Sequence, residues 1–188
     1  MLILHRPTIV ASEKVGTGTI VIEDGLIREV LYADAEDYDF RVSRLMSANP
    51  GAEIHDLEGK HVIAGGIDAH VHFRDPGLTH KADMYTESRA ALAGGVTTVF
   101  DMPNTNPPTV TPQALKDKIR LAEERSVVKM GFHIGATNDN AEDICRLITE
   151  GDAETGITPD DIAGVKVFMG SSTGNMLVDD NSTLSRLF

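Results

Sequence analysis

The chain has 188 residues, 41% hydrophobic and 24% charged, which is enough for a packed core and close to the average of globular proteins. Its formal net charge of −12 argues against nucleic acid or an anionic membrane as the main partner, since both reward clustered Lys and Arg, but not against an anionic small molecule in a local cationic pocket. The single cysteine, Cys145, rules out an intrachain disulfide and an all-cysteine zinc site and fits a reducing cytoplasm. No apolar run nears the roughly 20 residues of a membrane span, and no secretory leader is read, so a cytoplasmic protein is expected.

Residues 1–60 read as a small β-sandwich-like unit. In TGTIVIEDGLIREVLY, β-branched runs flank Asp24-Gly25, a hairpin signal because both turn residues tolerate positive φ. Residues 33–53 are polar without a clear period and are expected to form a surface excursion before a short strand near EIHDLEG. Residues 61–188 change character. HVIAGGIDAHVHF, VTTVFDM, VVKMGFHIGA and IAGVKVFMG read as strands. HKADMYTESRAALAGG, TPQALKDKIRLAEERS and DNAEDICRLITEG read as helices between them, the second with Pro112 in its first turn.

This alternation predicts α/β architecture with a parallel sheet and about four βα units. A closed (β/α)8 barrel takes about 250 residues. Residues 61–188 are therefore read as a partial barrel, with an open four-stranded α/β domain as the alternative. The closing NSTLSRLF reads like the middle of a helix, so the chain looks truncated.

Side chains alternate along a strand, so Asp68, His70 and His72 share one face of IDAHVH. A half-exposed strand with a wet side would explain them. In a barrel that face points inward, and two imidazoles at i and i+2 can converge on one ion. The pair also sits at the C-terminal end of its strand, where barrel enzymes build their sites. Lys166 lies opposite Val165 and Val167 in GVKVFMG. It reads either as a lysine snorkelling or paired with a buried carboxylate, or as an amine that reacts with carbon dioxide to give a bridging carbamate.

Arg74 in FRDPG and Asn104 in DMPNTNPP both follow strand ends. Arg can grip a carboxylate with two hydrogen bonds, and Asn offers a donor and an acceptor to a cyclic amide. Ordinary loop chemistry explains either residue taken singly. His133 shares a face with Gly131 and Gly135, reads as a satisfied interior group and is assigned no role. Residues 169–175, MGSSTGN, lack the Lys-Ser/Thr ending of a phosphate loop and read as a loop over the rim.

GGIDAHVHFRDPG, THKADMYTESRAALAGGVTTVFDMPNTNP and GVKVFMGSSTGN together resemble the dihydroorotases of the amidohydrolase superfamily. The likeness runs along the whole chain and is most specific over residues 63–108. It implies the first half of a (β/α)8 metal-dependent hydrolase barrel preceded by a small N-terminal β unit. It implies reversible cyclisation of N-carbamoyl-L-aspartate to L-dihydroorotate in pyrimidine biosynthesis, with two Zn2+ per complete active site.

By position, the resemblance makes His70, His72 and Lys166 metal ligands, Lys166 as a carboxylated bridge, and makes Arg74 and Asn104 substrate-binding. Some dihydroorotases bridge with a carboxylate, and the context of Lys166 is shared with hydantoinases. The family's remaining ligands and its general-base aspartate would lie beyond residue 188, so the chain alone is expected to be inactive. An allantoinase or hydantoinase is the alternative within enzymes, and a non-catalytic scaffold relative the alternative outside them. A small-molecule substrate is expected, with neither nucleic acid nor membrane as partner, and a homodimer is compatible with the family.

Overall fold

Both residues of the Asp24-Gly25 turn hold positive φ, 52° and 76°, and join β2 (Val15–Glu23) to β3 (Leu26–Tyr32) as an antiparallel hairpin. β1 (Leu2–Val10) pairs antiparallel with β2 and takes two short strands in parallel. These are β4 (Glu53–Asp56) along Leu2–His5 and β5 (His61–Ile63) along Thr8–Val10. The computed structural model describes residues 1–170 and 176–188, and it divides the chain between Ala64 and Gly65 into two compact units.

The first unit is one five-stranded mixed sheet, not the two stacked layers of a sandwich, among the described residues. Its core is Ile3, Ile9, Ile20, Val21, Leu31 and Val42. Val42 comes from α1 (Tyr38–Ala48), a helix where the sequence suggested an irregular excursion. Val42 is its only buried residue, and Asp37 makes no capping bond, so both usual helix signals are weak. The Tyr38 hydroxyl, 2.9 Å from Thr19 Oγ1, ties the helix to the sheet.

In the second unit β6 (Gly66–Val71), β7 (Val96–Asp101), β8 (Lys129–Gly135) and β9 (Ile162–Lys166) run parallel in that order. The run read as one strand from residue 61 to 73 is two, β5 and β6, which pair in different sheets. The helices are α2 (Met84–Ala93), α3 (Pro112–Arg125), α4 (Ala141–Glu150) and α5 (Asn181–Leu187). Local chemistry sets their starts. Thr111 accepts from the Ala114 N–H with Pro112 in the first turn, and Asp83 accepts from the Thr86 N–H.

The helices bury Phe73, Met84, Val99, Leu115, Phe132 and Ile134 against one face of this sheet, which curls as the first half of a (β/α)8 barrel does. Burial of both faces does not extend to β6. Asp68 and His70 are exposed and Ile67 keeps 68% of its surface, because β6 is an edge strand with a single neighbour among the described residues. Of the segment read as a rim loop, residues 171–175 lie outside the described residues.

Candidate functional site

Val71, Val99, Ile134 and Val165 face the helices, so strand alternation turns His70, His72, Phe100, His133 and Lys166 to the other, concave face. The His70 and His72 rings lie 5.3 Å apart between centroids, tilted by 55°. His72 Nδ1 donates to Asn104 Oδ1 at 2.8 Å, which fixes the tautomer and leaves the Nε2 lone pair to ligate. Burial is the main cause that holds His72 below its ordinary pKa; Asn104 opposes it, and the charges of Arg74 and His70 add to it. His72 is therefore neutral near pH 7, the form a metal requires.

The loop from Asp101 to Thr105 is buried throughout and grips the end of β6 at three successive residues. The Met102 N–H donates to the Val71 carbonyl at 3.0 Å, Asn104 holds His72, and the Phe73 N–H donates to Asp101 Oδ1 at 2.9 Å. Arg74 follows with φ +62°, a left-handed conformation that costs a non-glycine residue about 1 kcal/mol or more. The Leu78 N–H donates to its carbonyl at 3.0 Å. Its Nη1 is buried and has no partner among the described residues, a cost that an incoming anionic acceptor would remove.

Lys166 ends β9 with its Nζ 5.0 Å from the centre of the Phe168 ring. β6 and β9 are three strand spacings apart, roughly 14 Å in a flat sheet. His133, on β8, packs its ring over Gly164, where a Cβ would stand 3.2 Å from its Cδ2. Burial chiefly lowers its pKa. The Asp101 carbonyl opposes this, and the charges of His70 and Lys166 add to it. His133 Nδ1 is buried without a partner among the described residues.

No three His, Cys, Asp or Glu residues converge among the described residues. A metal on this face would thus rest on His70 and His72, with the Lys166 side chain as the further donor, and the neutral imidazole of His72 suits it. A cavity of about 440 Å3 lies elsewhere, between α3 and α4 beside Pro112, Asn140 and Arg146.

A sequence model described as "Amidohydrolase family" matches residues 61–171, the stretch that carries every one of these groups. The chain belongs to the amidohydrolase family. A dihydroorotase of Methanosarcina acetivorans is 37% identical over 163 residues, which cover 87% of this chain and 30% of that protein. An allantoinase of Streptomyces avermitilis is 33% identical over 172 residues, 91% of this chain and 34% of that protein. The solved L-hydantoinase of Arthrobacter aurescens superposes with a TM-score of 0.75 at 24% identity, covering 99% of this chain and 37% of that one. This amidohydrolase chain thus spans about a third of the length of the relatives it matches. No described helix is long and apolar enough to cross a membrane.

Sequence reasoning missed the groups behind this amidohydrolase face. Asp101 Oδ2 lies 2.7 Å from Lys118 Nζ with both side chains fully buried, an ion pair without hydrogen-bond geometry at Oδ2, and the Lys118 ammonium donates to the Met102 carbonyl at 2.8 Å. Burial lowers the Lys118 pKa and the Asp101 carboxylate opposes that. A signal was present: Lys118 falls on the buried stripe of α3, three residues after Leu115 and four before Ala122.

The histidines predict a pH dependence. An imidazole held below its ordinary pKa takes up a proton on unfolding, so its contribution is complete above the unfolded value of about 6.5 and is lost as pH falls through the folded one. The melting temperature of the metal-free chain is expected to drop between about pH 7.5 and 5.5, and to drop less in His133→Asn. An unchanged slope in that variant would remove the assignment to His133.

Proposed function

We propose that the chain provides the first metal ligands and the substrate anchor of a zinc-dependent dihydroorotase, which interconverts L-dihydroorotate and N-carbamoyl-L-aspartate. The observation that carries this reading is Arg74, a half-buried residue whose Nη1 is buried and without a partner among the described residues, two residues from His72 and with its backbone in the left-handed region. A cation so placed suits a substrate with a free carboxylate. The resemblance to dihydroorotases supports the same choice.

In this reading His70, His72 and Lys166, the last as its carbamate, hold Zn2+. Bound there, the metal would supply Lewis-acid chemistry, making water ionisable near neutral pH and drawing charge from the ring carbonyl. The hydrolytic direction adds water across the ring amide: oxygen joins the carbonyl carbon and the ring nitrogen leaves as the ureide NH2. Arg74 binds the exocyclic carboxylate and orients that amide. Asn104 fixes the His72 tautomer through its oxygen, leaving its NH2 to face the ring. The enzyme is read as cytoplasmic, its partner a small molecule, and a homodimer fits the family.

The allantoinase relatives favour a second reading, a cyclic amidohydrolase whose substrate carries no carboxylate. Calorimetric titration of the zinc-loaded chain separates the two. Arg74→Ala is expected to weaken L-dihydroorotate binding about 10–100-fold, the worth of a charged hydrogen bond, while hydantoin binding stays level. Equal losses for both ligands would sink the dihydroorotase reading, and allantoin bound more tightly than dihydroorotate and indifferent to Arg74 would select the second. Turnover of dihydroorotate by the 188-residue chain alone is expected to be undetectable, because His70, His72 and Lys166 are the only proposed ligands among the described residues. A spectrophotometric assay showing zinc-dependent ring opening would contradict that.

A further inference from the structure

Asp101 and Lys118 lie behind the concave face, on the helix side of the sheet, and no step above uses them. Asp101 Oδ1 receives the Phe73 N–H at 2.9 Å while Oδ2 faces Lys118 Nζ at 2.7 Å, and neither side chain has exposed surface. Phe73 is the residue between His72 and Arg74. Lys118 binds the Met102 carbonyl as well, at 2.8 Å, so one ammonium holds two successive residues of the buried loop against α3. The same loop reaches Val71 through Met102 and His72 through Asn104.

We infer that Asp101 is a positioning residue, with Lys118 as its buried counter-ion: its Oδ1 pins the Phe73 amide so that His72 and Arg74 keep their places. This rests on the reading of that face as a metal and carboxylate site. A pair that merely joined α3 to the sheet could be replaced by apolar groups without consequence for β6, since buried ion pairs exchanged for hydrophobic residues of similar volume are often neutral or stabilising. Oδ1 makes the difference, because an apolar replacement leaves the buried Phe73 N–H without an acceptor.

Two double variants of the full chain separate these roles. Asp101→Asn/Lys118→Met removes both charges and keeps an Oδ1 acceptor for Phe73. Asp101→Ala/Lys118→Met removes both charges and the acceptor. Amide exchange at Phe73, followed by NMR, is expected to stay at the parent rate in the first and to rise about tenfold or more in the second. The visible absorption of added cobalt(II), with bicarbonate present, is expected to match the parent in the first and to shift or weaken in the second.

Parent-like Phe73 exchange in the alanine variant would overturn the inference, as would a cobalt band altered equally in both variants. Should the alanine variant not fold, a hydrogen-bond coupling between the Phe73 nitrogen and the Asp101 carboxylate carbon, measured in the unaltered chain, decides instead, and its absence overturns the inference. Failure of the parent to take up cobalt counts against the proposed metal site alone, because Phe73 exchange still reports on positioning.

Discussion

Asp101→Ala with Lys118 left in place is expected to cost the second unit about 3–5 kcal/mol, because it strands a buried ammonium whose remaining partner is one carbonyl. Domains of this size are stable by only about 5–15 kcal/mol, so the variant sits near the limit of folding. Removing the ammonium too, in Asp101→Ala/Lys118→Met, is expected to recover about 2 kcal/mol of that loss. What remains should be near the 1–3 kcal/mol of an unsatisfied amide, that of Phe73. Urea denaturation followed by circular dichroism measures both. A single-variant loss under about 1 kcal/mol would show that the Lys118 ammonium reaches water and that the pair is not sealed.

Under the proposed function, zinc affinity should be the most sensitive property of the concave face. Partners of metal-binding histidines fix the tautomer and aim the lone pair, and their loss typically costs 10–100-fold in affinity. If the proposed site holds zinc, Asn104→Ala is expected to weaken its binding by about that factor, with His72→Ala weakening it further through loss of a proposed ligand. Competition against a chromophoric chelator, with bicarbonate present, reads both constants. Affinity unaltered in Asn104→Ala would mean that the amide does not orient His72, and affinity unaltered in His72→Ala would remove His72 from the site.

Much of the architecture is carried by short-range signals. The Asp24-Gly25 hairpin follows from two residues that accept positive φ, and α3 starts where Thr111 and Pro112 place it. The alternation of strands and helices after residue 65 needs only local periodicity to be seen. The His70 and His72 pair and its position at a strand end are likewise local facts. α1 escaped because a helix with one buried residue carries almost no periodic signal.

Long-range pairing is a different matter. Within the apolar run from residue 61 to 73, nothing local says that β5 joins β1 while β6 joins β7, because every strand offers the same backbone donors and acceptors to any neighbour. The partner of Asp101 is likewise invisible in VTTVFDM. Its helix-facing register demands a cation, but which cation depends on how α3 lies across the sheet, and Lys118 in isolation reads as one more solvated lysine. Residue types and their spacing thus carried the likeness to the amidohydrolase family. Packing chose which groups meet: the loop after β7 brings Asn104 to His72, and α3 brings Lys118 to the Asp101 carboxylate that holds the Phe73 amide.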